Sequence, residues 1–394
     1  MKAIIYNNNA LKYIASKATS YSRIAIDLSP ITLSEIQEPE IPSQSWVRLY
    51  PIVSGICGSD LATIFSKSSL FLKDYVSFPF VLGHEIVAVN DVGKRYVVQS
   101  ILSCEPRGLD LCNFCKSGQI DKCLNLNRGV IKAGLQIGFC ASTGGGWAQQ
   151  LIAHNCQLIE IPDELSDLGA VMVEPTACAL HGVLNNVEPN MTIGVIGAGT
   201  IGLSTVACLS SYFKDAQIYV GAKWPHQQKL ASQLGASWVG TPSNLEGQIR
   251  LLTKSMKVKS FLTSGVDLTI DAIATPESFN QALKITRPGG KIVLLGMPSV
   301  AKLDLTPLWL RQITLVPAYG YSQESIGQKR LKTFELAIEV VLKKRLESLV
   351  SKTYTLENYR QAIIHAAEAG KTGAVKIAFL PNLKKLKTEK NQKS

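Results

Sequence analysis

TIGVIGAGTIGLSTVA, residues 192–207, begins as a short β-branched run, breaks into glycines and resumes as an apolar helical pattern. Gly197, Gly199 and Gly202 hold the spacing G-x-G-x-x-G. In such a turn the first glycine permits a tight reversal, the second lets a pyrophosphate come close to the backbone, and the third lets the helix lie against the strand. The start of that helix, at Thr200 and Ile201, offers unpaired N–H groups and a positive dipole end to an anion. A strand before and a helix after are the context the motif requires. The stretch therefore predicts a phosphate-binding turn.

Outward from this turn the pattern repeats. Strands are predicted at 192–196, 217–220, 266–272 and 291–295, with helices at 201–211, 226–234 and 277–286 between them. Alternation of this kind predicts an α/β fold, a doubly wound parallel sheet of the Rossmann type with helices on both faces. Gly235 reads as a helix stop, as do Gly289 and Gly290 after Pro288.

The flanking sequence differs. Residues 1–50 contain short alternating runs at Lys2–Tyr6, Ile24–Leu28 and Trp46–Ile52, with a turn at Pro39–Pro42, and predict a β-rich start. Residues 54–150 hold most of the cysteines and many glycines, and predict loops and short strands able to carry ligands. After Pro162 a helical pattern runs through Gly182, with Asp167 as a candidate N-cap. Near the other end, Lys332–Lys344 is helical, and the segment Tyr354–Val375 leads into a strand-like AVKIAFL. The region Asn7–Ser20 has no assignable role.

Of the 394 residues, 46% are apolar and 18% charged, which fits an ordinary globular chain. No apolar run reaches the length of about eighteen residues that a membrane span needs. The opening MKAIIY lacks the apolar core and cleavage site of a secretory signal, so a cytoplasmic location is expected. Of the net charge of +11, +4 lies in residues 382–394, which carry five lysines against one glutamate and read as a basic disordered tail. Nine cysteines, an odd number, favour metal ligation or buried thiols over disulfides.

Chemistry-bearing residues cluster in three short stretches, GICGSD at 55–60, GHE at 83–85 and VEP at 173–175. Zinc catalysis uses three protein ligands of Cys, His and carboxylate type plus an open position. Cys57, His84 and Glu174 offer that set. Singly, each has an ordinary reading, as a small buried thiol, a hydrogen-bonded loop histidine and a helix-turn carboxylate; the metal reading rests on the combination.

With these motifs the chain resembles the zinc-dependent medium-chain dehydrogenase/reductase family, in particular its polyol, glucose and threonine dehydrogenase branch. The resemblance spans about residues 1–381 and rests on GICGSD, LGHEIV, the cysteine spacing at 112–123, GGWAQQL at 145–151, VEPTACALHG at 173–182, the glycine triplet and RPGGKIV at 287–293. It implies a GroES-like, distorted-barrel catalytic domain over 1–180 and 321–394, a Rossmann domain over 181–320, and a cleft between them as the active site. It further implies Cys57, His84 and Glu174 as catalytic zinc ligands, with Glu85 able to approach or exchange onto the metal. Asp60 corresponds to the carboxylate that orients the histidine ligand, and Ser59 to the hydroxyl that passes the substrate proton outward. A histidine common in the family five residues after the cysteine is replaced by Ala62, so proton release beyond Ser59 falls to water or another group.

Two further expectations follow from the family pattern. A structural zinc would take Cys112, Cys115 and Cys123, but the first ligand position falls on Leu109, leaving Asp110, Cys104 or Glu105 to complete the set. For the dinucleotide, an acid about 20 residues past the glycines usually grips the adenosine ribose and selects NAD. Here that position is Ala222, followed by Lys223. The expected cofactor is therefore NADP in preference to NAD, with Lys223 on its phosphate and His226 as a weaker candidate. His154, His181 and His365, and the thiols of Cys140, Cys156, Cys178 and Cys208, read as ordinary residues without metal partners.

The expected activity is zinc-dependent interconversion of a secondary alcohol, polyol or sugar hydroxyl and its carbonyl, by a homodimer or homotetramer. Thr63–Tyr75, Gln136–Trp147 and Tyr319–Ser322 are candidate pocket segments. A zinc-independent quinone or enone reductase would have no use for Cys57, His84 and Glu174 together. A non-catalytic nucleotide- or nucleic-acid-binding protein would interleave basic and aromatic residues on one face, whereas the densest run of lysines here is the tail, which has no aromatic residue.

Overall fold

The structure, a computed structural model, describes residues 1–19, 22–327 and 329–382. The predicted basic tail lies outside them except for Asn382. Two compact units divide the chain, one comprising Met1–Glu174 with the segment from Ser325 onward, the other Pro175–Glu324.

The second unit is built on six parallel strands, Thr192–Ile196, Gln217–Gly221, Trp238–Gly240, Val266–Asp271, Thr286–Leu294 and Thr314–Pro317. Counted in chain order they lie 3-2-1-4-5-6, the dinucleotide-binding arrangement in which the glycine-turn strand is central. Ile193, Val195, Leu268 and Ile270 are fully or almost fully buried on this central pair, as strands covered on both faces require. The helix Thr200–Tyr212 buries eight residues in an unbroken run from Gly202 to Leu209. Gly235 ends the helix Pro225–Leu234 in the left-handed conformation, as expected.

Gly289 and Gly290 do not stop a helix. The helix Pro276–Ile285 ends at Thr286, in extended geometry, and both glycines lie inside the strand Thr286–Leu294. There the register against the neighbouring strand jumps, from Val266 opposite Thr286 to Leu268 opposite Lys291. Gly289 takes φ +67° and donates its N–H to the Arg311 carbonyl at 2.8 Å. The glycines accommodate a bulge.

In the first unit, Lys2–Tyr6 is the middle of a three-stranded antiparallel sheet between Ile31–Glu35 and Phe80–Val81. A larger sheet runs Val350–Tyr354, Lys376–Phe379, Trp46–Gly55, Ile86–Val89, Arg95–Val98, Leu158–Glu160, and Leu151–His154 pairs with the first half of Trp46–Gly55. Ile24–Leu28 is not a strand. It belongs to the helix Ser22–Leu28, and the unassigned region before it forms a second helix, Ala10–Lys17. The alternation of Ile24, Ile26 and Leu28 misleads because Ala25 and Ile26 are the buried pair, and the Ser16 hydroxyl of the preceding helix donates to the Ala25 carbonyl at 3.2 Å.

The helical stretch after Pro162 is also capped differently. Ser166 accepts from the Gly169 N–H and is the N-cap, while Asp167 pairs with Arg95 at 2.9 Å. The helix pauses after Ala170 and resumes as Val173–Leu184. Among the described residues no helix is long and apolar enough to cross a membrane.

Candidate active site and metal centres

Cys57 follows the long strand Trp46–Gly55 and caps the helix Gly58–Ile64. Its N–H donates to Asp60 Oδ2 at 2.9 Å, which pins the carboxylate at the base of the helix. Asp60 is fully buried. Its other oxygen faces His84 Nδ1 at 3.4 Å, a charge contact longer than a good hydrogen bond. His84 lies just beyond Gly83, whose φ is +93°, and a side chain at Gly83 would run into the Trp147 ring. The second His84 nitrogen, Nε2, is 3.3 Å from Ser59 Oγ. Burial works against a proton on His84, but Asp60 and then Cys57 outweigh it and hold its pKa well above the ordinary range.

Glu174 stands in the first turn of Val173–Leu184 and is 7% exposed. Glu85 is held differently, in an ion pair with Lys376, and both side chains are 1% exposed. The Lys376 ammonium also donates to the Ile56 carbonyl at 3.2 Å. Burial disfavours that charge; Glu85, with Cys57 and Glu174 further out, overcomes the penalty and raises the pKa. Sequence reasoning missed Lys376. Its only signal was a lysine inside an otherwise apolar strand, AVKIAFL.

Cys57, His84 and Glu174 supply one thiol, one imidazole and one carboxylate in the same unit, a donor set suited to zinc with an open position. The His84 Nδ1 and Asp60 Oδ1 atoms are buried without a hydrogen bond of good geometry. A zinc on the other nitrogen would fix the tautomer that lets Nδ1–H donate to Asp60. The chemistry of these residues suits the metal, while among the described residues their donor atoms are not one of the groups that lie within 4.8 Å of one another.

A second cluster lies in the cysteine lobe. Cys104, Cys112, Cys115 and Cys123 each place a sulfur within 4.8 Å of the others. Cys104 joins the three spaced cysteines, whereas Asp110 is exposed. The spacing is thus C-x7-C-x2-C-x7-C, and tetrahedral tetrathiolate ligation suits structural zinc. Asn125 Nδ2 donates to Cys104 Sγ at 3.2 Å and Asn125 N to Cys123 Sγ at 3.3 Å. Burial opposes ionisation of Cys112, yet the backbone N–H groups of Leu124 and Cys115 pull its pKa down to about 6. Arg107, fully buried, donates to the carbonyls of Leu102, Arg128, Lys132 and Gly134 at 2.6–3.2 Å and so ties the two ends of the lobe together.

At the glycine turn, Gly197 takes φ +94°. A side chain on Gly202 would overlap the Gly197 carbonyl, whereas the space beside Gly199 is open within 4 Å. Gly199 caps the helix that begins at Thr200. Ala222 is buried, donating to the Gly240 carbonyl at 2.8 Å and accepting from Gln228 Nε2 at 2.9 Å. No carboxylate occupies the end of this strand. Lys223 is exposed, its ammonium 5.2 Å from the Trp224 ring centroid.

The other histidines have definite partners. His181 Nδ1 meets Glu324 Oε1 at 2.6 Å, and His365 Nδ1 meets the Tyr354 hydroxyl at 2.9 Å. His154 departs from its ordinary reading: with Cys156 and Glu105 it forms a further group of metal-type donors. Chain folding, and no sequence spacing, brings Glu105 to the other two.

The architecture and donor sets define a class, a two-unit dehydrogenase with a dinucleotide fold. Residues 43–163 match the alcohol dehydrogenase GroES-like domain and residues 200–335 match the zinc-binding dehydrogenase domain. The sorbitol dehydrogenase of Bacillus subtilis is 25% identical over 89% of this chain and 94% of its own length. The starvation-sensing protein RspB of Escherichia coli is 30% identical over 67% of this chain and 74% of its own. In structure, a zinc-dependent alcohol dehydrogenase 2 from Streptococcus pneumonia superposes with a TM-score of 0.73 at 20% identity, covering 97% of this chain and 99% of that one. The chain belongs to the zinc-dependent medium-chain dehydrogenase family.

Proposed function

We propose that this protein interconverts a secondary alcohol, polyol or sugar hydroxyl and the matching carbonyl, with NADP preferred to NAD. The observation that carries the reading is the Cys57, Ser59, Asp60 and His84 cluster, in which donor residues and a proton-passing hydroxyl share one short helix start and one loop. Cys57, His84 and Glu174 would hold the catalytic zinc, with Glu85 beside them, and Cys104, Cys112, Cys115 and Cys123 the structural one. When bound, zinc supplies a Lewis acid for the substrate oxygen, and the nicotinamide takes up or returns hydride.

The chain's own groups do the rest. Asp60 holds His84 in orientation, and Ser59 Oγ, 3.3 Å from the ring, receives the substrate proton. With Ala62 in place of a histidine farther along the helix, the proton leaves Ser59 for water or another group. Gly197, Gly199 and Gly202 bring backbone N–H groups and the Thr200–Ile201 helix start to the pyrophosphate. Lys223 meets the ribose phosphate of NADP, a charge-assisted contact that the missing carboxylate at Ala222 leaves unopposed. The exposed edge strand Thr314–Pro317 and the exposed Trp309 and Leu310 before it support self-association, and a cytoplasmic setting goes with the reduced thiols.

The test is a panel of polyols, secondary alcohols and aldoses with NADP and with NAD, followed by nicotinamide absorbance. Turnover of a secondary hydroxyl that is lost on zinc removal and in Cys57→Ser is expected. Turnover of an enone or quinone that survives zinc removal would overturn the reading.

A further inference from the structure

The strand Leu151–His154 pairs with Trp46–Leu49 and ends on His154, which is 9% exposed. The His154 ring stands edge-on to Trp46, with centroids 5.8 Å apart, so its position is set by packing. The chain then turns through Asn155–Gln157. That turn carries the Cys156 sulfur to 3.1 Å from His154 Nδ1. Glu105 arrives from the cysteine lobe. One donor atom from each of the three lies within 4.8 Å of the other two.

We propose that Glu105, His154 and Cys156 form a third metal site, separate from the catalytic and tetracysteine clusters, that takes a zinc-class divalent cation. A thiolate, an imidazole and a carboxylate are the mixed soft and borderline donors that zinc and cobalt accept. Zinc bond lengths of about 2.3 Å to sulfur and about 2.0 Å to nitrogen place tetrahedral S and N ligands roughly 3.5 Å apart. The observed 3.1 Å needs only a small opening of the turn.

Two groups compete with the metal and set its affinity. The Cys156 N–H donates to His154 Nδ1 at 3.3 Å, a bond that yields when the nitrogen ligates. Lys332 donates to the Cys156 carbonyl at 3.1 Å, and its charge repels a dication. Against this, the thiolate and the carboxylate neutralise the cation between them. The turn keeps its anchor throughout, because Gln157 Oε1 accepts from the His154 N–H at 3.0 Å and Gln157 Nε2 donates to the Gln99 carbonyl at 2.8 Å. Glu105 is exposed, so the site opens to solvent and leaves its fourth position to water. This is the arrangement of an exchangeable site, unlike the Cys104 group with its fully buried first ligand.

The experiment is equilibrium dialysis of the purified protein, brought to two zinc ions per chain, against cobalt(II), with retained zinc measured in parallel and the thiolate-to-cobalt charge-transfer band recorded. The wild type is expected to take up one further equivalent without losing zinc, and to show the band. Cys156→Ser should abolish both, and Glu105→Gln should weaken uptake at least tenfold, with folding checked by circular dichroism. A wild type that takes up no further cobalt, or further uptake retained at full affinity in either variant, overturns the proposal.

Discussion

Lys376 buries its ammonium against the Glu85 carboxylate in the first unit, the residue beside His84 paired with one 291 positions later in the chain. A side chain on Gly55 would overlap the same carboxylate, so a glycine, an acid and a lysine from three strands or strand ends are mutually required. The pair fixes the loop that carries His84 against the strand that leads to Cys57.

Removing one partner leaves a buried charge without compensation. Lys376→Met and Glu85→Gln should each cost about 3–5 kcal/mol, read as a lowered denaturant midpoint, and the double variant should recover part of that loss. Equal stability of all three variants and wild type would contradict the pairing.

Gly202→Ala places a methyl group against the Gly197 carbonyl. The helix must shift away from the turn, at about 1–3 kcal/mol, and dinucleotide affinity should fall with it. Gly199→Ala, where the space is open, should leave stability nearly unchanged and weaken only the dinucleotide. Fluorescence titration with NADPH, alongside thermal unfolding, separates the two.

Cofactor choice should move with the strand end. Lys223→Ala is expected to weaken NADP by about 1.5–3 kcal/mol, the worth of a hydrogen bond to a charged group, with NAD little affected. Ala222→Asp should favour NAD. Kinetic constants with both dinucleotides check this, and an unchanged NADP preference in Lys223→Ala would assign the phosphate contact elsewhere.

In the cysteine lobe, Cys104→Ser should lower the zinc content by one per chain and destabilise the lobe, whereas Asp110→Asn should do neither. Arg107→Met, which strips five backbone carbonyls of their donor, should destabilise the lobe by about 3 kcal/mol or more. Metal analysis and limited proteolysis across residues 104–134 report both effects.

Tyr6 supplies a pH test. Burial, with a smaller contribution from Tyr13, pushes its phenol up to about 12, from 10.0. The unfolded chain releases this proton first, so the folded state binds more protons between those values. Stability is then complete below pH 10 and falls as pH rises toward 12, by up to roughly 1.4 kcal/mol per unit. Tyr6→Phe should show a shallower alkaline loss in denaturant melts at stepped pH.

The sequence by itself determined the parts that depend on local pattern. The Thr192–Ala207 turn, the strand and helix alternation around it and the family motifs at Cys57, His84 and Glu174 were all legible, because glycine spacing and hydrophobic period are properties of short segments. Where neighbours in space outweighed the segment, the pattern misled. Ile24–Leu28 alternates like a strand yet packs as a helix through Ala25 and Ile26, and Gly289–Gly290 form a bulge within a strand. The tertiary structure chose Cys104 from the three candidates for the fourth cysteine-lobe ligand, and it alone brought Lys376 to Glu85 and Glu105 to His154 and Cys156. The last two are long-range pairings of charges or metal donors that no local spacing encodes, and chain folding alone supplies the proximity on which their chemistry depends.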